Sequence, residues 1–177
     1  MRWKAFSFAL LFLLVGLSLG ENFPDVDQGN SLLVHRSIIT HGPLLPLVLF
    51  LLALIIKPVP IRLFVMGFSL GVAVHLSFDL FPRAWVGYAL IHVPVVGWIY
   101  PLVSWVWIAL SIIICLYMAM RLVRNGLHGV ALVLGLLVTF GYAGISEEAV
   151  WGPLLAVIAG TVVGLIPILR RTTPGDH

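Results

Sequence analysis

Charged residues are scarce in this chain of 177 residues: Asp, Glu, Lys and Arg make up 10% of it, and only seven residues are acidic. Soluble domains carry about 25% charged residues, so the composition excludes an ordinary soluble protein. The single cysteine, Cys115, excludes an intramolecular disulfide. The net charge is +3 and no basic run forms a patch, which argues against nucleic acid as a partner.

Apolar residues are abundant instead, at 61% of the chain with a mean hydropathy of +1.13. Crossing a bilayer core of about 30 Å takes roughly 20 apolar helical residues. Six stretches approach that length, which predicts an all-α, multi-pass membrane bundle of about six transmembrane helices in one domain, residues 1–177, surrounded by membrane lipid. They run from Ala5 to Gly20, Ile38 to Ile56, Ile61 to Phe81, Ile99 to Met120, Leu127 to Ile145 and Val150 to Leu169.

The distribution of charge predicts the orientation of the bundle. With the N-terminus inside, eight of the ten basic residues fall on the cytoplasmic side and six of the seven acidic residues on the outer side, as the positive-inside rule requires. Both termini are therefore expected inside. The inner basic residues are Arg2, Lys4, Lys57, Arg62, Arg121, Arg124, Arg170 and Arg171.

The first segment, residues 1–20, has a second interpretation. Its two basic residues, short apolar run and Ser18-Leu19-Gly20 also fit a cleavable signal peptide. Either way, residues 21–81 form the half of the chain that carries the candidate site, and residues 82–177 supply the remaining helices.

Two short segments hold three of the six histidines and three of the seven acidic residues: 24–41, PDVDQGNSLLVHRSIITH, and 75–79, HLSFD. The predicted topology brings both to the outer side of the membrane. Ionisable residues at membrane depth are costly and mark functional sites by default. The side chains of His and Asp are common ligands of Zn, Mn and Fe.

The spacing indicates which of these side chains can share a metal ion. His75 and Asp79 are four residues apart and lie on one helix face. His41, at the expected start of the second helix, completes a set of three ligands that leaves a position free for water, as in catalytic sites. His35 lies one short loop earlier, and Asp25 and Asp27 are candidates for a second ion or for orienting the histidines.

These residues also carry a family resemblance. Pro24-Asp25-Val26-Asp27, His35-Arg36 with Thr40-His41, and His75 with Asp79 resemble the PDxD, HRxxTH and HxxxD pattern of the LexA-binding, inner-membrane-associated metal-dependent hydrolases. The resemblance implies a small helical bundle in the plasma (inner) membrane with a divalent metal site. This chain has one residue more between Arg36 and Thr40 than the commoner form. In a helix, that insertion would turn His41 by about 100° relative to His35.

Other polar residues have a structural interpretation beside the functional one. Arg36 suits a phosphate or carboxylate of a substrate, or an ion pair with Asp25 or Asp27. Thr40 is expected to cap the second helix. His92 is a further ligand or an interfacial histidine. Glu147 and Glu148 resemble the di-glutamate motif of membrane proteases that process prenylated proteins, or favour a helix N-terminus.

The leading hypothesis is a metal-dependent hydrolase at the outer membrane face, with Asp25 or Asp27 as general base and Arg36 on an anionic group of a lipid or lipid-linked phosphoester. The alternative is a metal-binding membrane protein or transporter without hydrolase activity. Transport sites usually lie near the bilayer midplane, whereas these ligands gather at one end.

Overall fold

The computed structural model describes residues 3–29, 33–56, 58–81, 90–146 and 150–169. Within these ranges the chain forms six α-helices, a short 3-10 helix and a small hairpin, so the predicted all-helical architecture is confirmed. In chain order they are α1 (Trp3–Asn22), the 3-10 helix (Pro24–Gly29), α2 (Leu44–Ile55), α3 (Val59–Leu80), β1 (His92–Val93), β2 (Gly97–Trp98), α4 (Pro101–Arg121), α5 (Gly126–Ser146) and α6 (Trp151–Leu169).

Helix α3 is the centre of the bundle and packs against the other five helices. The segment from Leu63 to Ser77 is apolar around its whole circumference, and most of its side chains are buried. A helix that is apolar on every face is expected at the core of a large assembly or in a membrane.

Helices α1 and α3 run parallel and touch backbone to backbone. A Cβ at Gly71 of α3 would lie 2.6 Å from the backbone nitrogen of Glu21, and a Cβ at Gly67 would lie 2.9 Å from that of Leu17. Because residue numbers rise together along this contact, both helices end at the same side of the bundle. Small residues permit this close approach, as they do between helices in membranes.

Two helices in the described ranges, α3 and α4, are long and apolar enough to cross a membrane by length and composition. The other four contain shorter apolar stretches. Helix α2 has twelve residues and covers about 18 Å, less than the roughly 30 Å of a bilayer core.

The prediction that the second helix begins at Ile38 is wrong. Helix α2 begins at Leu44, because Pro43 disfavours helical backbone at Gly42 and lacks an amide hydrogen. Residues 38–43 form turns instead, in which the amides of Thr40 and His41 donate to the carbonyl of Ser37. Prolines also mark the starts of later helices, with Pro58 preceding α3 and Pro101 beginning α4.

The connection before α4 contains the hairpin, which the sequence did not predict. His92 pairs with Trp98 and Val93 with Gly97 in antiparallel register. The backbone of His92 also bonds to the segment before α2: it donates to the carbonyl of Arg36 and accepts from the amide of Ile38, both at 2.9 Å. Residues 82–89, which precede this hairpin, lie outside the described residues.

Candidate metal centre

The two polar segments meet at the end of the bundle where α1 and α3 terminate. We call the group formed by Asp25, Asp27, His35, Arg36, His41, His75 and Asp79 the His–Asp cluster. The 3-10 helix supplies its first two members, the turns before α2 the next three, and the last turns of α3 the final pair.

Asp27 holds the turns before α2 in place. Its carboxylate accepts hydrogen bonds from the hydroxyl of Thr40 at 2.6 Å and from the amide of Ser37 at 2.9 Å, and it lies 3.1 Å from Nδ1 of His35. Burial alone would raise the pKa of Asp27. The hydrogen bonds from Thr40, His35 and Ser37 outweigh burial and hold the pKa below its usual value, so Asp27 is ionised at neutral pH.

These bonds also explain the role of Thr40, which differs from the predicted one. No side chain caps α2, and the helix begins four residues after Thr40. The hydroxyl of Thr40 bonds to Asp27 instead and lies 3.2 Å from Nδ1 of His41. The sequence could not show this, because Asp27 is thirteen residues away.

His41 is fully buried and presents its second nitrogen to α3. Its Nδ1 lies 3.3 Å from Oδ2 of Asp27, and a proton on Nδ1 would leave the lone pair on Nε2. Burial is the main cause that lowers the pKa of His41, against the attraction of Asp79 and Asp27, so the imidazole is neutral at pH 7. Metal ions bind a neutral imidazole through the lone pair of one ring nitrogen, while the other ring nitrogen donates its proton to a carboxylate.

Three potential ligand atoms converge where His41 faces the end of α3. Oδ2 of Asp79 lies 3.5 Å from Nε2 of His41 and 3.5 Å from Nε2 of His75. The ligand atoms of these three residues all lie within 4.8 Å of one another. Tetrahedral coordination at zinc–nitrogen distances places ligand atoms about 3.4 Å apart. The observed separations therefore fit a single ion.

Two of these atoms are buried without a hydrogen-bond partner in the described part of the chain: Nε2 of His41 and Oδ2 of Asp79. Buried polar atoms are normally paired, because an unpaired one costs about 1–3 kcal/mol. The chemistry and placement of these atoms fit a divalent cation as the missing partner.

A second group of possible ligands adjoins the first and shares His41. It comprises Asp25, His35 and His41, again with atoms within 4.8 Å of one another. Asp25 is about half exposed, accepts a hydrogen bond from Gln28 at 2.6 Å, and has an oxygen 3.9 Å from Nε2 of His75. Asp25 thus lies beside both groups and remains open to solvent.

The additional residue after Arg36 does not separate the two histidines. The segment forms turns rather than a helix, so the rotation of about 100° expected for a helix does not apply. The ring centroids of His35 and His41 lie 5.5 Å apart, and Asp27 touches both rings.

Arg36 reaches the cluster from a left-handed backbone conformation with φ of 61°. One terminal nitrogen of its guanidinium lies 3.9 Å from Oδ1 of Asp79, and its Nε is buried without a hydrogen-bond partner in the described residues. The expected ion pair with Asp25 or Asp27 is not among the contacts of the described residues. Positive φ is uncommon for a residue other than glycine and indicates that surrounding contacts fix the position.

Two neighbours of His41 could not be predicted from the sequence. The indole nitrogen of Trp107 in α4 donates to the carbonyl of His41 at 2.8 Å. A Cβ at Gly42 would lie 2.8 Å from the same indole ring, so glycine allows the close approach. Only the three-dimensional arrangement reveals this contact, because Trp107 is 66 residues from His41.

The remaining polar candidates direct their side chains elsewhere or lie outside the described ranges. The His92 ring packs edge-on against Trp98 with centroids 5.2 Å apart. His128 lies at the opposite end, at the turn between α4 and α5, where its Nδ1 accepts from the amide of Arg124. Glu147-Glu148 lies outside the described residues.

Comparison with known proteins adds no assignment: no protein-family model, curated protein or solved structure matches the chain. The resemblance to the inner-membrane hydrolases therefore remains a prediction from the sequence. The functional proposal therefore rests on the geometry of the cluster.

Proposed function

We propose that the protein is a metal-dependent hydrolase embedded in the plasma membrane by about six helices, with its site at the outer face. One observation carries the proposal: Nε2 of His41 and Oδ2 of Asp79 are buried 3.5 Å apart without hydrogen-bond partners in the described residues, and Nε2 of His75 lies at the same distance from that oxygen. Three such ligands leave a coordination position open for water.

The direction of the helices supports the membrane topology. Helices α1 and α3 run parallel. Helices α4 and α6 also run parallel, because a Cβ at Gly160 would lie 2.9 Å from Leu116 and one at Gly164 would lie 2.6 Å from Met120. This alternation agrees with a chain that crosses repeatedly with both ends inside. In the turns before the short helix α2, Ser37 and residues 40–43 are buried, and non-helical backbone is tolerated at membrane depth where it is buried in protein.

A divalent cation (Zn, Mn or Fe) at this site would be held by His41, His75 and Asp79. When bound, it would acidify a coordinated water, whose pKa would fall toward about 7. Asp27 is buried beside both imidazoles and orients His35 and His41. Asp25 takes the proton, since its carboxylate is half exposed and 3.9 Å from His75.

The substrate is an anionic ester at headgroup level, a lipid or lipid-linked phosphoester. The guanidinium of Arg36 holds the phosphate, because its planar fork matches two oxygens. Water adds its oxygen to phosphorus and the ester P–O bond breaks. The proton removed by Asp25 then passes to the departing alkoxide, so that an alcohol and a phosphate monoanion or dianion leave.

Metal analysis of the purified protein tests the proposal. We expect about one divalent ion per chain in the wild type, as a three-ligand site predicts, and its loss in His75→Ala. His128→Ala is the matched control, since it removes a buried histidine at the opposite end and should keep the ion. Equal metal content in the wild type and His75→Ala would refute the site. Metal binding without phosphoester hydrolysis would favour the non-enzymatic alternative.

A further inference from the structure

A groove separates α1 from α5 on the side of the bundle, with a volume of about 230 Å³. This exceeds the roughly 150 Å³ of an apolar cavity that accepts benzene. It opens sideways, since Leu14, Val138 and Tyr142 on its walls are about half exposed or more. The lining residues are Leu14, Leu17, Ser18, Glu21, Asn22, Val138, Thr139 and Tyr142.

The polarity of the groove changes along its length. Leu14 and Leu17 line the part that lies deeper in the bundle, whereas Glu21 and Asn22 line the end near the His–Asp cluster. Leu14 and Glu21 are seven residues apart, a rise of about 10 Å along the helix. The lining of the groove therefore changes from apolar to polar over this distance, which is comparable to the length of a hydrocarbon chain of several methylene groups.

The polar end of the groove adjoins the candidate metal centre. The Glu21 backbone contacts α3 at Gly71, where an added Cβ would lie 2.6 Å from its nitrogen. Gly71 and His75 are four residues apart and lie on the same helix face. Glu21 thus lies beside the last turns of α3, which carry His75, and it lines the polar end of the groove.

We propose that this groove binds one hydrocarbon chain of the lipid whose polar head reaches the His–Asp cluster. The inference rests on the proposed function, since it names the substrate class of the same site: an amphiphile with a long chain, bound from the side of the bundle.

A second groove, between α5 and α6, provides an internal comparison. Its volume is about 300 Å³, and it is lined by aliphatic residues, Phe140 and Thr161. The Thr161 hydroxyl is bonded to the carbonyl of Val157 within its own helix. This groove lies against α6 instead of α1, and its lining has no charged or amide side chain, so it lacks the polar end of the first groove.

Native mass spectrometry of the purified full-length protein, titrated with palmitoyl-oleoyl phosphatidylglycerol, tests the proposal. We expect a saturable complex with one lipid, weakened about tenfold in Ser18→Phe because the ring occupies the groove. Thr161→Phe is the control and should stay within about twofold of the wild type. Val138→Phe fills the groove from α5 and should reproduce the effect if Ser18→Phe does not fold.

The outcomes separate this inference from the proposed function, because metal content is measured on the same samples. Lipid loss in Ser18→Phe with metal retained supports the groove. Equal affinity in wild type, Ser18→Phe and Val138→Phe, or equal weakening in Thr161→Phe, would overturn it and show ordinary boundary lipid. A wild type that binds one lipid in this groove but no metal would contradict the proposed function and leave the groove standing as a lipid site.

Discussion

Nε2 of His41 lies 3.5 Å from Oδ2 of Asp79, although the two residues belong to different elements and are 38 positions apart. Each side of His41 is fixed: Asp27 and Thr40 lie beside its Nδ1, and Trp107 donates to its carbonyl. Its orientation toward α3 is therefore set before any ion binds.

Asp27→Asn should weaken metal binding by about 10- to 100-fold, the usual cost of losing a carboxylate behind a ligand histidine. The amide cannot accept from Thr40, Ser37 and His35 as two carboxylate oxygens do. Thr40→Val removes one of the three bonds and should have a smaller effect. Competition with a chromophoric chelator measures both affinities. Asp27→Asn with wild-type affinity would exclude the positioning role.

The metal-free protein should lose stability as the pH falls through the titration range of His41. Burial lowers the folded-state pKa of His41, so below about 6.5 the unfolded chain binds a proton that the folded protein excludes. Stability therefore rises with pH across the window between the lowered pKa and about 6.5.

Melting temperatures in the presence of a chelator, from about pH 7.5 to about pH 5.5, check this sign. The decrease on acidification should be smaller in His41→Gln, which cannot take up the proton. An identical decrease in wild type and variant would contradict a buried neutral imidazole.

Arg36→Lys should lower kcat/KM for an anionic phosphoester by about tenfold or more, because an ammonium group cannot make two parallel bonds to phosphate. The metal content should not change, since Arg36 supplies no ligand atom. Kinetics and metal analysis of the same preparation separate the two roles. Loss of metal in Arg36→Lys would show that Arg36 serves the fold of the cluster instead.

The topology can be tested with engineered cysteines. Gln28→Cys, beside the cluster, should react with a membrane-impermeant maleimide in intact cells, whereas Arg124→Cys, at the α4–α5 turn, should react only after the cells are opened. Both native positions are exposed, and the native Cys115 is fully buried, so its background labelling is low. The reverse pattern of labelling would show that the bundle has the opposite orientation in the membrane.

Composition and charge predicted much of the architecture. Apolar length predicted the six helices within a few residues except α2, and the charge distribution predicted that residues 24–41 and 75–79 share one end. Hydropathy misplaces the start of α2, because it registers neither Pro43 nor the hydrogen bonds that hold residues 38–43 in turns. Local sequence also cannot reveal the His92 hairpin bonded to Arg36 and Ile38.

Residue type and spacing identify the candidate ligands but do not indicate which role each residue has. Nothing in the sequence separates Asp25 from Asp27. In the structure, Asp25 is about half exposed near His75, whereas Asp27 is buried. The carboxylate oxygens of Asp27 accept hydrogen bonds from Thr40 and Ser37 and contact His35. That distinction depends on contacts across ten or more residues, which a linear pattern does not encode.

X-ray absorption spectroscopy of the zinc-loaded protein tests the central claim most directly. We expect nitrogen and oxygen neighbours of the zinc ion at about 2.0–2.1 Å, with the outer-shell scattering of two imidazoles. Asp79→Asn should remove bound zinc or lose one oxygen neighbour while melting remains cooperative. A spectrum without imidazole scattering, or one unchanged by Asp79→Asn, would contradict a metal ion held by His41, His75 and Asp79.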